Sequence, residues 1–233
     1  MESPIYIQIH NQIRQEIEAG KWQIGDRIPS ERDLALTFNV SRMTLRQAIQ
    51  TLVDEGILER RIGAGTFVAN QKVQEKVSGV TSFTDIMLAQ GKTPSSKTIS
   101  YHIAKPSLSE SEKLQLAEGA QVLRMERIRY ADAVPISFEV ATVPYELVKD
   151  FSKGEVTKSF YHTLEKKGGY HLGGATQTVS AQVASERIAD FLDIKRGSAI
   201  LRLRQVSLLQ DGRPFEYVRT QYVGERFEFY LER

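Results

Sequence analysis

Ile5, Ile9, Ile13 and Ile17 recur every fourth residue between Pro4 and Glu18, while Gln8, Asn11, Gln12, Gln15 and Glu16 fill the positions between them. One apolar stripe on an otherwise polar segment predicts an amphipathic helix, and Gly20 supplies its stop. A turn-rich stretch from Lys21 to Pro29 leads to Ser30, with Asp33 three residues on, which predicts an N-cap and a short helix through Phe38. Phe38-Asn39-Val40 has room only for a tight turn, and Asn39 is suited to positive φ there. Ser41 then caps a third helix, Arg42 to Glu55, with Leu45, Ala48, Ile49, Leu52 and Val53 on one face and Thr44, Arg46, Gln47 and Gln50 turned away from it. Past Gly56, residues 57–68 read as two short strands joined by a glycine-bearing turn, a wing with Arg60 and Arg61 at its base and a flexible tip.

The pattern changes after residue 69. Asn70, Gln71, Lys72, Gln74, Glu75, Lys76 and Ser78 make a polar stretch without sustained periodicity, which reads as a linker. The chain thus divides into an N-terminal domain (1–69), a linker (70–79) and a C-terminal domain (80–233). The last of these contains an internal repeat. Ser109-Glu110-Ser111-Glu112 predicts a capped helix, followed by Gly119-Ala120-Gln121-Val122-Leu123-Arg124-Met125 and a turn at Asp132-Ala133. Ser185-Glu186 starts a second helix, followed by Gly197-Ser198-Ala199-Ile200-Leu201-Arg202-Leu203 and a two-residue hairpin turn at Asp211-Gly212. With extra strands at Ser96 to Lys105 and Leu172 to Ala181, two such units make an antiparallel sheet with helices packed on one side, an α+β fold.

Composition narrows the function classes. No run approaches the roughly 18 apolar residues of a membrane span, and neither a signal peptide nor an anchor is expected. With zero Cys, and with His10, His102, His162 and His171 far apart, neither a disulfide nor a metal site is expected, and no cofactor either. A cytoplasmic protein that does not engage a membrane follows. Net charge is +2, and residues 1–70 hold eight Lys/Arg against nine Asp/Glu, so bulk charge does not announce a nucleic-acid partner. Position does. Arg42, Thr44 and Arg46 occupy the first turn and a half of the third helix, the part that enters the major groove in a helix-turn-helix, where Arg donates two hydrogen bonds to guanine.

The first repeat places Leu123, Met125, Arg127 and Arg129 on one strand face, and the second aligns Gln205 and Ser207 with the two arginines. Two neighbouring guanidiniums repel unless an anion lies between them, and a phosphate or carboxylate held bidentately resolves that.

The N-terminal blocks Gly25-Asp26-Arg27-Ile28-Pro29-Ser30-Glu31-Arg32-Asp33-Leu34-Ala35, Val40-Ser41-Arg42-Met43-Thr44-Leu45-Arg46-Gln47-Ala48 and Gly63-Ala64-Gly65-Thr66-Phe67-Val68 resemble the winged helix-turn-helix of the GntR family of bacterial transcription regulators. Carried over position by position, the resemblance implies DNA contacts from Arg32, Ser41, Arg42, Thr44, Arg46 and, in the minor groove, Gly63. From about Gly79 to Phe229 the chain resembles the UTRA effector-binding domain of the HutC subfamily, related in fold to chorismate lyase, on the blocks Gly79-Val80-Thr81-Ser82-Phe83-Thr84, Arg127-Ile128-Arg129, Ser137-Phe138-Glu139, Ser159-Phe160-Tyr161 and Pro214-Phe215-Glu216-Tyr217 with Tyr222. By likeness to members that respond to phosphorylated amino sugars, Arg127, Arg129, Ser159, Tyr161 and Ser82 or Thr84 would hold a phosphate, and Phe83, Glu139, Glu216 and Tyr222 the sugar. The implied protein is a homodimeric repressor of carbohydrate or amino-sugar genes, released from operator DNA by a small phosphosugar. The alternatives are the same architecture sensing another anionic metabolite, and a lyase-like enzyme using the paired acids. Against the enzyme, the sequence holds no nucleophile paired with a base and no GxGxxG or Walker pattern.

Overall fold

The computed structural model describes residues 3–69, 72–77 and 79–231. The chain forms two compact units, Met1–Gln71 and Lys72–Arg233.

In the first unit, α1 (Ile5–Glu18), α2 (Glu31–Thr37) and α3 (Arg42–Asp54) precede a hairpin of β1 (Leu58–Arg61) and β2 (Gly65–Val68). Ile9 and Ile13 of the α1 stripe are buried with Leu34, Leu45, Ile49 and Leu52, while Ile5, in the first turn, stays exposed. Ser30 and Ser41 are the N-caps of α2 and α3, accepting from the backbone N–H of Asp33 and Thr44. Asn39 turns the chain between these helices at φ 52°.

The second unit opens with β3 (Val73–Lys76), inside the stretch that reads as a linker; Asn70, Gln71 and Ser78 of that stretch lie outside the described residues. Next come α4 (Phe83–Ala89), β4 (Pro94–Ala104), α5 (Leu108–Leu114), β5 (Val122–Ala131), β6 (Val134–Pro144), α6 (Lys153–Lys158), α7 (Phe160–Lys166), β7 (Leu172–Val183), α8 (Glu186–Leu192), β8 (Ala199–Leu209), β9 (Pro214–Val223) and β10 (Phe227–Tyr230). Six strands form one antiparallel sheet in the order β4-β5-β6-β9-β8-β7, and β3 pairs parallel with β10. The repeat is an offset of 78 residues. It superposes the N-caps Ser107 and Ser185, the seven-residue helices α5 and α8, and their left-handed ends Gln115 and Asp193, both at φ 50°. The two copies meet at β6 and β9, so the sheet reads alike from either edge.

Three expectations need correction. Helices cover both faces of the sheet, because both carry apolar rows: α6 and α7 pack on the face of Leu123, Met125 and Val218, whereas α8 packs on the opposite face against Ile128, Phe138 and Ile200. The capping box of α5 is Ser107 with Glu110, two residues earlier than Ser109. The two-residue turn is Asp132-Ala133, both at positive φ as a type I′ turn requires; Asp211-Gly212 lies in a loop one residue longer, in which the N–H of Gly212 bonds the carbonyl of Leu209. Among the described residues no helix is long and apolar enough to cross a membrane.

Candidate functional site

The first unit presents an exposed reading surface. Arg32 on α2 and Arg42 and Arg46 on α3 are solvent-exposed, and Thr44 is half-buried. Ser41 Oγ lies 2.8 Å from Thr44 Oγ1 and 3.1 Å from its backbone N–H, which fixes the first turn of α3 on which Arg42 and Arg46 stand. In the wing, Arg61 pairs with Gly65 and Arg60 with Thr66, so these arginines flank the tip, and Leu58 and Val68 form the base. The difference follows from the short strands, which place the charged end of β1 against the turn. Arg60 donates to Glu31 at 2.9 Å and Gln50 at 2.8 Å, tying the wing to both helices. Gly63 sits at the tip with φ 74° and Gly65 follows at φ 121°, backbone conformations that favour glycine at both positions.

In the second unit all ten residues implied by the resemblance, Ser82, Phe83, Thr84, Arg127, Arg129, Glu139, Ser159, Tyr161, Glu216 and Tyr222, line one cavity of about 60 Å³. Strand alternation puts Arg127 and Arg129 on the face beneath α4 and α7, and a β-bulge brings Glu139 to them. From the turn at Ala131 and Val134 the register would pair Glu139 with Glu126, on the other face. One extra residue between Arg129 and Tyr130's partners shifts the pairing to Arg127 with Glu139.

The anion between the guanidiniums is therefore the chain's own carboxylate. Arg127 donates to Glu139 Oε1 through Nε at 2.9 Å and also through Nη2; Arg129 donates to Glu139 Oε2 at 3.2 Å and to Ser96 Oγ at 2.9 Å. Arg127 is 2% exposed and Glu139 8%. Burial works to raise the Glu139 pKa, and the two guanidiniums overcome it and hold the carboxylate at about 2. Burial and the neighbouring Arg129 charge lower the pKa of Arg127. Glu216 is the opposite case: burial and the charge of Glu139 push it up to about 7, although Tyr161 Oη donates to its Oε2 at 2.6 Å. Phe83 lies over Arg129, 5.2 Å from ring centroid to guanidinium, and Tyr222 stacks on Phe227 at 3.9 Å, so each packs in the core and faces the cavity at once. Ser82 is committed to capping α4, accepting from Asp85 N–H at 3.1 Å, whereas Ser159, at the N-cap of α7, makes no such bond.

Sequence reasoning missed Glu75, Lys158, Gln205 and Thr220, which also line the cavity. Gln205 was within reach through the repeat, since it aligns with Arg127. Thr220 is the register partner of Glu139 across β6 and β9, a pairing that local patterns do not reveal.

An exposed helix-turn-helix with a wing, joined in one chain to a domain with a polar cavity, defines a ligand-responsive DNA-binding regulator. Residues 5–68 match the family described as bacterial regulatory proteins, gntR family, and residues 89–228 match the UTRA domain. The chain belongs to the GntR family, in its HutC-type branch, and is a DNA-binding transcription regulator. It is 33% identical to the HTH-type transcriptional repressor NagR of Bacillus subtilis over 99% of this chain and 96% of that protein. It is 29% identical to the mannosyl-D-glycerate transport/metabolism system repressor MngR of Escherichia coli over 98% and 95% of the two chains. Among solved structures, PhnF from Mycobacterium smegmatis is 26% identical with a TM-score of 0.81 over 96% of this chain and 98% of its own. A GntR-family regulator from Enterococcus faecalis V583 is 62% identical with a TM-score of 0.57, covering 60% of this chain and all of that one.

Proposed function

We propose that this regulator is a cytoplasmic, homodimeric repressor of genes for carbohydrate or amino-sugar uptake and catabolism, released from its operator by a small phosphosugar of the glucosamine 6-phosphate or N-acetylglucosamine 6-phosphate type. The observation that carries this reading is the pair of buried arginines, Arg127 and Arg129, meeting at one carboxylate on the wall of a polar cavity. A phosphate oxygen is a geometric equivalent of that carboxylate. A phosphosugar would take over N–H groups now spent on Glu139, and the displaced Glu139 would accept from the sugar's hydroxyls together with Glu216. The cavity has room for only a few waters, so the exchange must widen it. In this reading the acids serve binding: Glu139 is the ionised counter-ion of two arginines and Glu216 accepts from Tyr161. Two reading heads would grip a pseudo-palindromic operator through α3 and the wing, with Arg32, Ser41, Arg42, Thr44, Arg46 and Gly63 at the duplex.

An operator obtained by selection from random duplexes, titrated by fluorescence anisotropy with and without each phosphosugar, tests the reading. The expected result is operator affinity weakened by roughly tenfold or more, a coupling of about 1.4 kcal/mol, with a raised melting temperature in the same ligand. Unchanged affinity and melting across the phosphosugars would reject this class of effector.

A further inference from the structure

Strand β3 alternates, with Val73 and Glu75 buried and Gln74 and Lys76 exposed. Val73 packs into the core beside Met87 and Phe227, where an inward position calls for an apolar side chain. Glu75 puts a carboxyl group at the next inward position, 8% exposed, on the wall of the effector cavity. Among the described residues its hydrogen-bond partner is Tyr222, whose Oη donates to Oε2 at 3.3 Å, and no lysine or arginine is paired with it. Burial pushes its pKa up to about 7 despite that bond. A second observation marks the same corner. Ser137, in register with both Arg129 and Tyr222, has its Oγ buried without a partner. Buried polar groups are normally satisfied; Ser137 does not itself line the cavity, but it leaves an unfilled hydrogen-bonding group beside the two lining residues Arg129 and Tyr222.

We infer that Glu75 is a ligand-binding residue of this cavity, accepting from an N–H or O–H donor on the part of the effector remote from its phosphate, and that this bond ties β3 to the bound molecule. The inference rests on the phosphosugar reading above. A carboxylate repels a phosphate, so Glu75 meets the sugar's donors while Arg127 and Arg129 meet the anion. Its place in the chain gives the bond a second consequence. Glu75 follows the last residue of the DNA-binding unit, Gln71, by four positions. β3 is short, paired on one edge with β10 and held on the other by the side chain of Gln90, which bonds both the N–H and the carbonyl of Gln74. A ligand bond to Glu75 therefore bears on the segment that leads directly from the DNA-reading unit, and an effector lacking a donor there would bind without releasing DNA.

The test compares wild type with Glu75→Gln, which keeps the shape and the contact to Tyr222 and removes the charge, in full-length protein. The probes are glucosamine 6-phosphate, N-acetylglucosamine 6-phosphate and inorganic phosphate, read by calorimetry and by operator release. Expected is a loss of roughly tenfold or more in affinity for the phosphosugar that wild type binds, the size of one hydrogen bond to a charged group, with less than about twofold change for inorganic phosphate. Release of operator should need correspondingly more phosphosugar. Should Glu75→Gln fail to fold, Glu75→Asp keeps the charge, withdraws the oxygens by one methylene and carries the same expectation. A folded variant with wild-type phosphosugar affinity overturns the inference alone. A wild type indifferent to every phosphosugar overturns the parent reading and the inference together.

Discussion

Arginine serves opposite ends in the two units of this chain. On α2 and α3, Arg32, Arg42 and Arg46 stand in solvent, so they are fully hydrated and ready to exchange water for a duplex. In the sheet of the second unit, Arg127 and Arg129 are dehydrated and already paired with Glu139. A reading head must meet a polyanion that arrives from outside, and exposed charge gives both long-range attraction and freedom to adjust to base edges. A small-molecule sensor must distinguish one metabolite from many, and buried charge makes every unmatched group costly. The same side chain is thus cheap to present in one unit and dependent on its partner in the other.

The largest break in this comparison is Glu139→Ala. It leaves two guanidiniums in the interior facing each other without an anion, and removing one partner of a buried pair costs about 3–5 kcal/mol. Urea unfolding followed in the second unit should show a loss of that order, partly restored by millimolar phosphate occupying the vacated place. A loss below about 1 kcal/mol would mean that the arginines escape to solvent and that the cavity does not confine them.

Next in size, taken group by group, is the pH response of the same unit. Glu110 and Glu139 are held at about 2, so the stability they contribute is complete above the ordinary carboxylate value of 4.5 and is lost as pH falls through about 2. Glu75 and Glu216 are raised to about 7, so their contribution is complete below 4.5 and is lost as pH rises through about 7. The unfolding free energy from urea titration should fall between pH 5 and 8 by an amount on the order of 3 kcal/mol per raised group. In Glu75→Gln/Glu216→Gln that decline should flatten. A decline of equal size in the double variant would assign it to other groups.

Much of this was legible in the sequence, and the reason lies in periodicity. The helices of the reading head announce themselves through the four-residue spacing of the α1 isoleucines and the serines that cap α2 and α3. The period of two on β5 puts Arg127 and Arg129 on one face without any knowledge of the sheet. The need for an anion between them was equally plain, but its identity was not, because Glu139 reaches that face only through a one-residue bulge. Pro135, which has no N–H to give the ladder, sits beside the bulge and is the sole local hint. Glu75 was hidden for a different reason. A strand of four residues, three of them polar, looks like linker, and its partner Phe227–Tyr230 lies some 150 residues on, beyond any local pattern.

The smallest effect sharpens the comparison most. Arg46 is exposed on α3 and has no ion-pair partner among the described residues, so Arg46→Ala should change the stability of the first unit by no more than about 0.5 kcal/mol, the usual range for surface positions. What it should lose is discrimination. If Arg46 donates two hydrogen bonds to a guanine, its removal costs roughly 1–3 kcal/mol against the selected operator and almost nothing against a duplex already altered at that base pair, so the two affinities converge. If it contacts only phosphate, affinity falls alike for both duplexes and the salt dependence of binding becomes shallower by about one ion. Anisotropy titrations of the two duplexes at two salt concentrations separate these outcomes. The first makes Arg46 a reader and leaves the contrast with Arg127 intact: one arginine dispensable to the fold and decisive for sequence, the other held inside the fold by its counter-ion. The second would shift base readout along α3 to Arg42 and the side chains beside it.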